Sequence, residues 1–191
     1  MKTARRLVLV TVAVLLLAGC GGGGGGDGGA AGDGAKAKTK TFEDDRFGIT
    51  FEYPDDFRLG SVTDVQKTAG GSSTADQGVG LDDDNAIFVS RYELATEVTE
   101  DNVDAAAAEL DGVVGDLVGT KLTGRRVDVG GLIAFRYDDV AVTQPAGGQS
   151  DLVFLFDGST QYQLNCQSTA AHRSRMDDAC QLAVDTLEAA A

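Results

Sequence analysis

The sequence contains no tryptophan, two prolines, two methionines and a single histidine, His172. One histidine excludes a histidine-rich zinc site. A Ser-His-Asp site would have to use it, yet His172 falls at the start of a predicted helix and no nucleophile-elbow pattern accompanies it, so it reads as a surface residue. Positive charge is also scarce: 16 Lys and Arg stand against 30 Asp and Glu, a formal net charge of −14. Nucleic-acid binding needs clustered Lys and Arg on phosphates, so nucleic acid is excluded as a partner. Broad electrostatic adhesion to anionic headgroups is excluded on the same ground. Long apolar runs are missing too. Leu7 to Ala18 is a run of 12 residues interrupted by Thr11, whereas a hydrocarbon core needs ~20.

That short run has a different use. Lys2, Arg5 and Arg6 precede it, and Ala18-Gly19 follow it. A basic start, a short apolar stretch and small residues form an export signal peptide. Leu17-Ala18-Gly19-Cys20 resembles the bacterial lipobox. The resemblance implies a lipoprotein, cleaved before Cys20 and lipidated there with acyl chains of the palmitate type. It would sit on the extracytoplasmic face of the cell membrane. Two or three chains anchor a protein stably where one does so only marginally. The alternative is an ordinary secreted protein in which Cys20 is incidental. With residues 1–19 removed, 13 basic residues remain against 30 acidic ones, a formal charge of −17.

Residues 20–40 read as the lipidated cysteine and a flexible tether. Gly21 to Gly26 is unbroken and nothing in the stretch has an apolar period. About 20 such residues reach ~25 Å. A glycine run cradles phosphate only between a strand and a helix, and neither flanks this one. Residues 41–191 then suit one folded domain. Abundant Gly, Ala, Val, Asp and Arg point to a GC-rich, actinobacterial source.

Within the domain, Phe47, Ile49, Phe51 and Tyr53 alternate with Gly48, Thr50 and Glu52. This period of two predicts one strand from Phe42 to Tyr53, ended by Pro54-Asp55-Asp56, with a returning strand over residues 57–62. Strands are predicted over 77–81 and 86–94, joined through Asp82-Asp83-Asp84-Asn85. Arg125–Val129 and Leu132–Val140 form a predicted hairpin through Gly130-Gly131, and Asp151–Phe156 pairs with Gln161–Gln167 through Asp157-Gly158. Unbroken apolar residues from Leu152 to Phe156 suit a strand buried on both faces. Helices are predicted over 101–120, capped by Thr99 or Asp101, and over 173–190. In the second, Met176, Cys180, Ala183 and Leu187 form one stripe. The order predicts an α+β domain, a mainly antiparallel sheet covered by helices.

If Cys20 carries lipid, Cys166 and Cys180 remain as a pair in an oxidising compartment. Cys166 shares a strand face with Tyr162 and Leu164, and Cys180 lies on the apolar stripe of the last helix. The expectation is a disulfide bond between strand and helix, two buried thiols being the alternative. The Asp82–Asn85 acids lack the central Gly and distal Glu of a calcium loop, so they read as a solvated hairpin tip, and no metal site is expected. Arg125 and Arg126 read as partners of acids across the sheet, with a phosphate site as a weaker option.

Phe47-Gly48-Ile49-Thr50-Phe51-Glu52-Tyr53-Pro54, the Asp157-Gly158 hairpin, Tyr162-Gln163-Leu164-Asn165-Cys166 and Cys180 in a closing helix resemble the PsbP-like lipoproteins, the actinobacterial LpqN-type group in particular. The resemblance spans roughly Thr41 to Leu187. Phe57 stands where a Trp often follows the family's Tyr-Pro turn. The resemblance implies an α/β/α sandwich and a non-enzymatic binding or assembly module without cofactors. The expected function is a membrane-anchored, non-catalytic scaffold in the cell envelope, with an unknown envelope protein or ligand as partner. A carrier of an apolar envelope ligand and a carboxylate-based hydrolase are the alternatives.

Overall fold

The computed structural model describes residues 38–60, 73–142 and 145–189. The chain divides into two units, Met1–Ala35 and Lys36–Ala191, and the second carries the fold described here. The predicted leader, Cys20 and the tether through residue 37 lie outside the described residues, as do Ser61, Val62 and Gln144.

Ten strands and two helices are described: β1 (Thr39–Glu43), β2 (Ile49–Pro54), β3 (Arg58–Gly60), β4 (Ala75–Asp82), β5 (Asn85–Glu93), α1 (Val103–Val118), β6 (Arg125–Val129), β7 (Leu132–Ala141), β8 (Gln149–Asp157), β9 (Thr160–Ser168), α2 (Arg173–Asp185) and β10 (Glu188–Ala189). Seven strands form one sheet in the order β3-β4-β5-β9-β8-β7-β6, and β1-β2-β10 form a second. Every described pairing is antiparallel. The predicted α+β class is therefore the observed one.

Period-two alternation divides the large sheet between two cores. One face carries Ile87, Val89, Val153, Leu155, Leu164 and Cys166, which join Phe42, Ile49, Phe51, Met176, Cys180 and Leu187 in one cluster. The small sheet and α2 therefore cover this face. The opposite face carries Phe135, Tyr137, Leu152, Phe154 and Phe156 beneath Val103, Leu110 and Val114 of α1. The unbroken apolar run in β8 thus feeds both cores, as a strand covered on both sides must.

Three elements differ from expectation. The predicted strand over Phe42–Tyr53 breaks into β1 and β2 at a turn where the Phe47 N–H donates to the Asp44 carbonyl. Phe42 stacks on Phe51 at 4.6 Å between ring centres and meets Phe47 edge-on, so the break folds three rings together. Next, β3 does not return along β2; it joins the edge of the large sheet against β4. Last, α2 stops at Asp185. The Thr186 hydroxyl donates to the Leu182 carbonyl and accepts the Glu52 N–H, and Glu188–Ala189 then pairs with β2. Leu187 is buried as the stripe predicts, but from beyond the helix end.

Helix α1 begins at Asn102 rather than with a Thr99 or Asp101 cap. The Asn102 amide turns back on the entering loop: Oδ1 accepts the Thr99 N–H and Nδ2 donates to the Glu97 carbonyl, each at 2.8 Å. Gly119 closes the helix with φ of 70°, the left-handed conformation glycine takes most readily.

Candidate functional site

Beside α1 lies a cavity of about 510 Å³, within the range of small-molecule sites. Its walls come from three places. Phe154, Phe156 and Gln161 of β8 and β9 point into it from the sheet, together with Tyr92 of β5. The end of β5 and the loop after it, residues 93–98, form one rim, and Ala105, Ala106, Glu109 and Val113 along one edge of α1 form the other. The loop is held to the β8–β9 turn by two backbone bonds. The Leu94 N–H donates to the Ser159 carbonyl at 2.8 Å, and the Val98 N–H donates to the Gly158 carbonyl at 2.9 Å. Together with the Asn102 amide these bonds set the loop's course, so the rim is built rather than loosely draped.

The lining mixes two chemistries. Phe154, Phe156, Leu110, Val113, Leu94 and Val98 supply apolar surface, and Glu93, Glu97 and Glu109 supply negative charge. All three carboxylates are exposed. Arg91 pairs with Glu93, but among the described residues no Lys or Arg lines the cavity, and Glu97 and Glu109 have no described ion pair. A smaller cavity of about 190 Å³ lies further along the same helix, walled by Leu117, Val118, Val140 and Leu152. Asn165, 6% exposed, lines it, and its Oδ1 accepts no hydrogen bond.

Position of α1 over the sheet is set by Asp111. Its Oδ1 accepts the Tyr137 hydroxyl and the Gly124 N–H, both at 2.8 Å. Burial, then the Asp111 carboxylate, pushes the Tyr137 phenol well above its usual range.

A second concentration of charge lies at a bulge in β7, where Asp139 has φ of 57°. Asp151 accepts Arg136 Nη2 at 2.7 Å and the Asp139 N–H at 2.9 Å, and Asp139 accepts Arg173 Nη1 at 2.7 Å. Desolvation opposes the Arg136 charge, but Asp151 and Asp138 outweigh it and its pKa is raised. Arg136 and Arg173 each meet a carboxylate, so the cluster ties β7 and β8 to α2, although Arg173 Nη2 is buried without a hydrogen-bond partner. Asp177 beside it has its pKa raised, by burial first.

None of the described candidate site residues (Cys166, Cys180, His172, Asp82 to Asn85, Arg125 and Arg126) lines either cavity. Cys166 and Cys180 are bonded to each other, with Cα atoms 5.9 Å apart, on the face of the sheet away from α1. His172 is exposed at the start of α2. Asp82 Oδ1 accepts the N–H groups of Asp84 and Asn85 and the Asn85 side-chain amide, which commits it to the hairpin turn. Arg125 pairs with Asp138 and Arg126 with Glu100, so both arginines meet acids. Cys20 lies outside the described residues. The cavity residues carried no motif, being drawn from a loop, one helix edge and three strands. Their one local signal is the spacing of Ala105, Glu109 and Val113, a second stripe beside the core stripe of α1.

No protein-family profile matches the sequence, and no curated protein sequence matches it. Solved structures do match in fold. Cyanobacterial PsbP (CyanoP) from Synechocystis sp. PCC 6803 superposes with a TM-score of 0.50 at 14% identity, over 84% of this chain and 98% of that one. A Bacteroides thetaiotaomicron protein matches with a TM-score of 0.51 at 12% identity over 80% of this chain, and the match spans 48% of that longer structure. LpqN of Mycobacterium tuberculosis, described as involved in cell envelope biogenesis, matches with a TM-score of 0.46 at 12% identity over 82% of this chain and 86% of that one. The α+β sandwich described above is thus PsbP-like.

Proposed function

We propose that the chain is a lipid-anchored, extracytoplasmic binding module of the cell envelope, non-catalytic, whose working site is the cavity beside α1. The cavity itself carries the reading: about 510 Å³, with apolar walls and polar rim, framed by a braced loop and a latched helix. Among the described residues its lining holds no histidine or cysteine, and Thr96 is its one hydroxyl side chain besides Tyr92. A carboxylate hydrolase needs one acid raised by burial facing a second across the scissile bond. Glu93, Glu97 and Glu109 are all exposed, which disfavours that chemistry. The export signal and the Leu17-Ala18-Gly19-Cys20 sequence support the location. Holding an apolar ligand is the second reading, favoured by Phe154, Phe156 and Leu110 in the wall.

The test is complementation of a deletion strain that has a phenotype. Val113→Trp, which fills the cavity from the α1 edge, should fail to complement although the protein is stable and anchored. Single neutralisations of each Asp and Glu, and of His172, should complement, because binding energy is spread over several contacts, whereas losing a catalytic acid costs ~10²-fold or more in rate. One stable, anchored acid variant that reproduces the deletion with partner binding intact would overturn the reading.

A further inference from the structure

We propose that the smaller cavity, at the C-terminal end of α1, binds a neutral molecule about the size of a benzene ring that carries one hydroxyl group. This cavity shares no lining residue with the larger one, so the site goes beyond the binding-module reading.

Asn165 carries the argument. Its main chain is paired on both sides, with Leu152 of β8 and Phe88 of β5, so alternation sends its side chain to the face that α1 covers. There it is 6% exposed, borders the cavity and makes no hydrogen bond to a described residue. Oδ1 is enclosed without a partner, which leaves Nδ2 as the end towards the cavity. The two ends of the amide are equal in size and exchange by a half-turn. Buried polar groups are nearly always paired, because an unpaired one costs stability. Leucine would fill the same space without that cost. An amide kept here therefore has a use that folding does not explain.

Ser150 repeats the observation on the neighbouring strand. It is 1% exposed, lies two residues from Leu152 on the same face of β8 and pairs with Val140 of β7. Leu152 and Val140 both line the cavity, and the Ser150 Oγ has no partner either.

The rest of the wall fixes the class of ligand. Leu117, Val118, Val140, Val142 and Leu152 are hydrocarbon, and among the described residues no charged side chain lines the cavity. An ion would lose its hydration there without a counter-charge. A wholly apolar molecule would fill the space and leave the amide unpaired. A single water would occupy a small part of the volume, about 190 Å³. An apolar cavity of roughly 150 Å³ takes one benzene ring. A hydroxyl both donates and accepts, so it pairs with either end of the amide.

The experiment uses the lipidated full-length protein in nanodiscs of neutral phosphatidylcholine, with empty nanodiscs as the blank. Fluorine NMR titrations compare 3-fluorophenol with 3-fluorotoluene, which match in shape and differ in the hydroxyl, and with 3-fluorobenzoate, which adds charge. The phenol should bind roughly three- to tenfold tighter than the toluene, the net worth of one hydrogen bond, and the benzoate should not bind. Asn165→Leu should bind phenol and toluene equally. Its thermal midpoint should rise by a few degrees, because hydrocarbon replaces an unpaired amide. Ala141→Trp, at an exposed lining position, should block both probes with the circular dichroism spectrum unchanged. Equal binding of phenol and toluene to wild type would overturn the proposal, as would no binding, or a hydroxyl preference that survives Asn165→Leu. A lower midpoint for Asn165→Leu would overturn it too, since the amide would then be satisfied within the fold. Phenol binding that survives Ala141→Trp but is lost in Val113→Trp would move the probe to the larger cavity and remove the site proposed here, with the binding-module reading left standing.

Discussion

The Tyr137 hydroxyl on β7 donates to Asp111 Oδ1 on α1 at 2.8 Å, and the Gly124 N–H donates to the same oxygen. One carboxylate therefore joins the helix both to the sheet beneath it and to the chain that leaves it. Tyr137 is 3% exposed and its ring meets Phe154 edge-on at 5.8 Å. Since Phe154 also lines the cavity, the latch sets one wall of the site.

Tyr137→Phe keeps the ring and removes the donor. Loss of a part-buried hydrogen bond to a charged group costs about 1.5–3 kcal/mol. Urea denaturation should show a lower midpoint with an unchanged slope. A midpoint within error of wild type would mean that Asp111 holds α1 through Gly124 alone.

The same phenol makes stability depend on alkaline pH. Its folded pKa is raised above the unfolded value of about 10, first by burial and then by Asp111. The folded state therefore keeps a proton that the unfolded state releases. The contribution is complete below about pH 10 and is lost as pH climbs towards the folded pKa. Wild type should lose stability across that window faster than Tyr137→Phe, read from denaturation midpoints at pH 8 to 11. Parallel curves would exclude Tyr137 as the group responsible.

Cys166 on β9 and Cys180 on α2 are joined across 14 positions of sequence. Closing a loop of that size in the unfolded chain is worth ~3 kcal/mol on the chain-entropy account. Cys180→Ala should lower the thermal midpoint by several degrees, and reductant should lower that of wild type but leave the variant unchanged. Both thiols labelling freely in freshly exported protein would contradict the bond.

Cys20 carries the proposed anchor. Wild type should fractionate with membranes, and Cys20→Ser should be released or left unprocessed. Equal recovery of the two in the soluble fraction would defeat the lipoprotein assignment.

Several elements follow from local pattern alone. Gly130 and Gly131, both with positive φ, make the tight turn between β6 and β7, and Gly158 does so between β8 and β9. A two-residue turn of that kind needs residues that tolerate left-handed backbone, and the sequence shows them directly. Apolar residues on both faces of β8 require two covers, and α1 on one side with α2 and the small sheet on the other provide them. Cys166 and Cys180 each lie on an apolar stripe, so their meeting in one core is readable from periodicity.

By itself, then, the chain determined its α+β class, its central buried strand and its helix faces. All depend on residues within a few positions of one another, where steric preference and apolar period act. Tertiary structure decided the rest. The apolar stripe through Leu187 suited a continued helix, but the Glu52 N–H and the β2 edge claimed Thr186, Glu188 and Ala189. Likewise β3 found its partner in β4, where no local rule distinguishes it from β2. The cavity is the extreme case: Tyr92, Glu97, Glu109 and Phe154 are ordinary residues on four separate elements. They become a site only because Asp111 and Asn102 place α1 and its entering loop over the end of the sheet. Pairings between distant segments are chosen by competition among many similar edges and faces, and that competition is settled by the whole core at once.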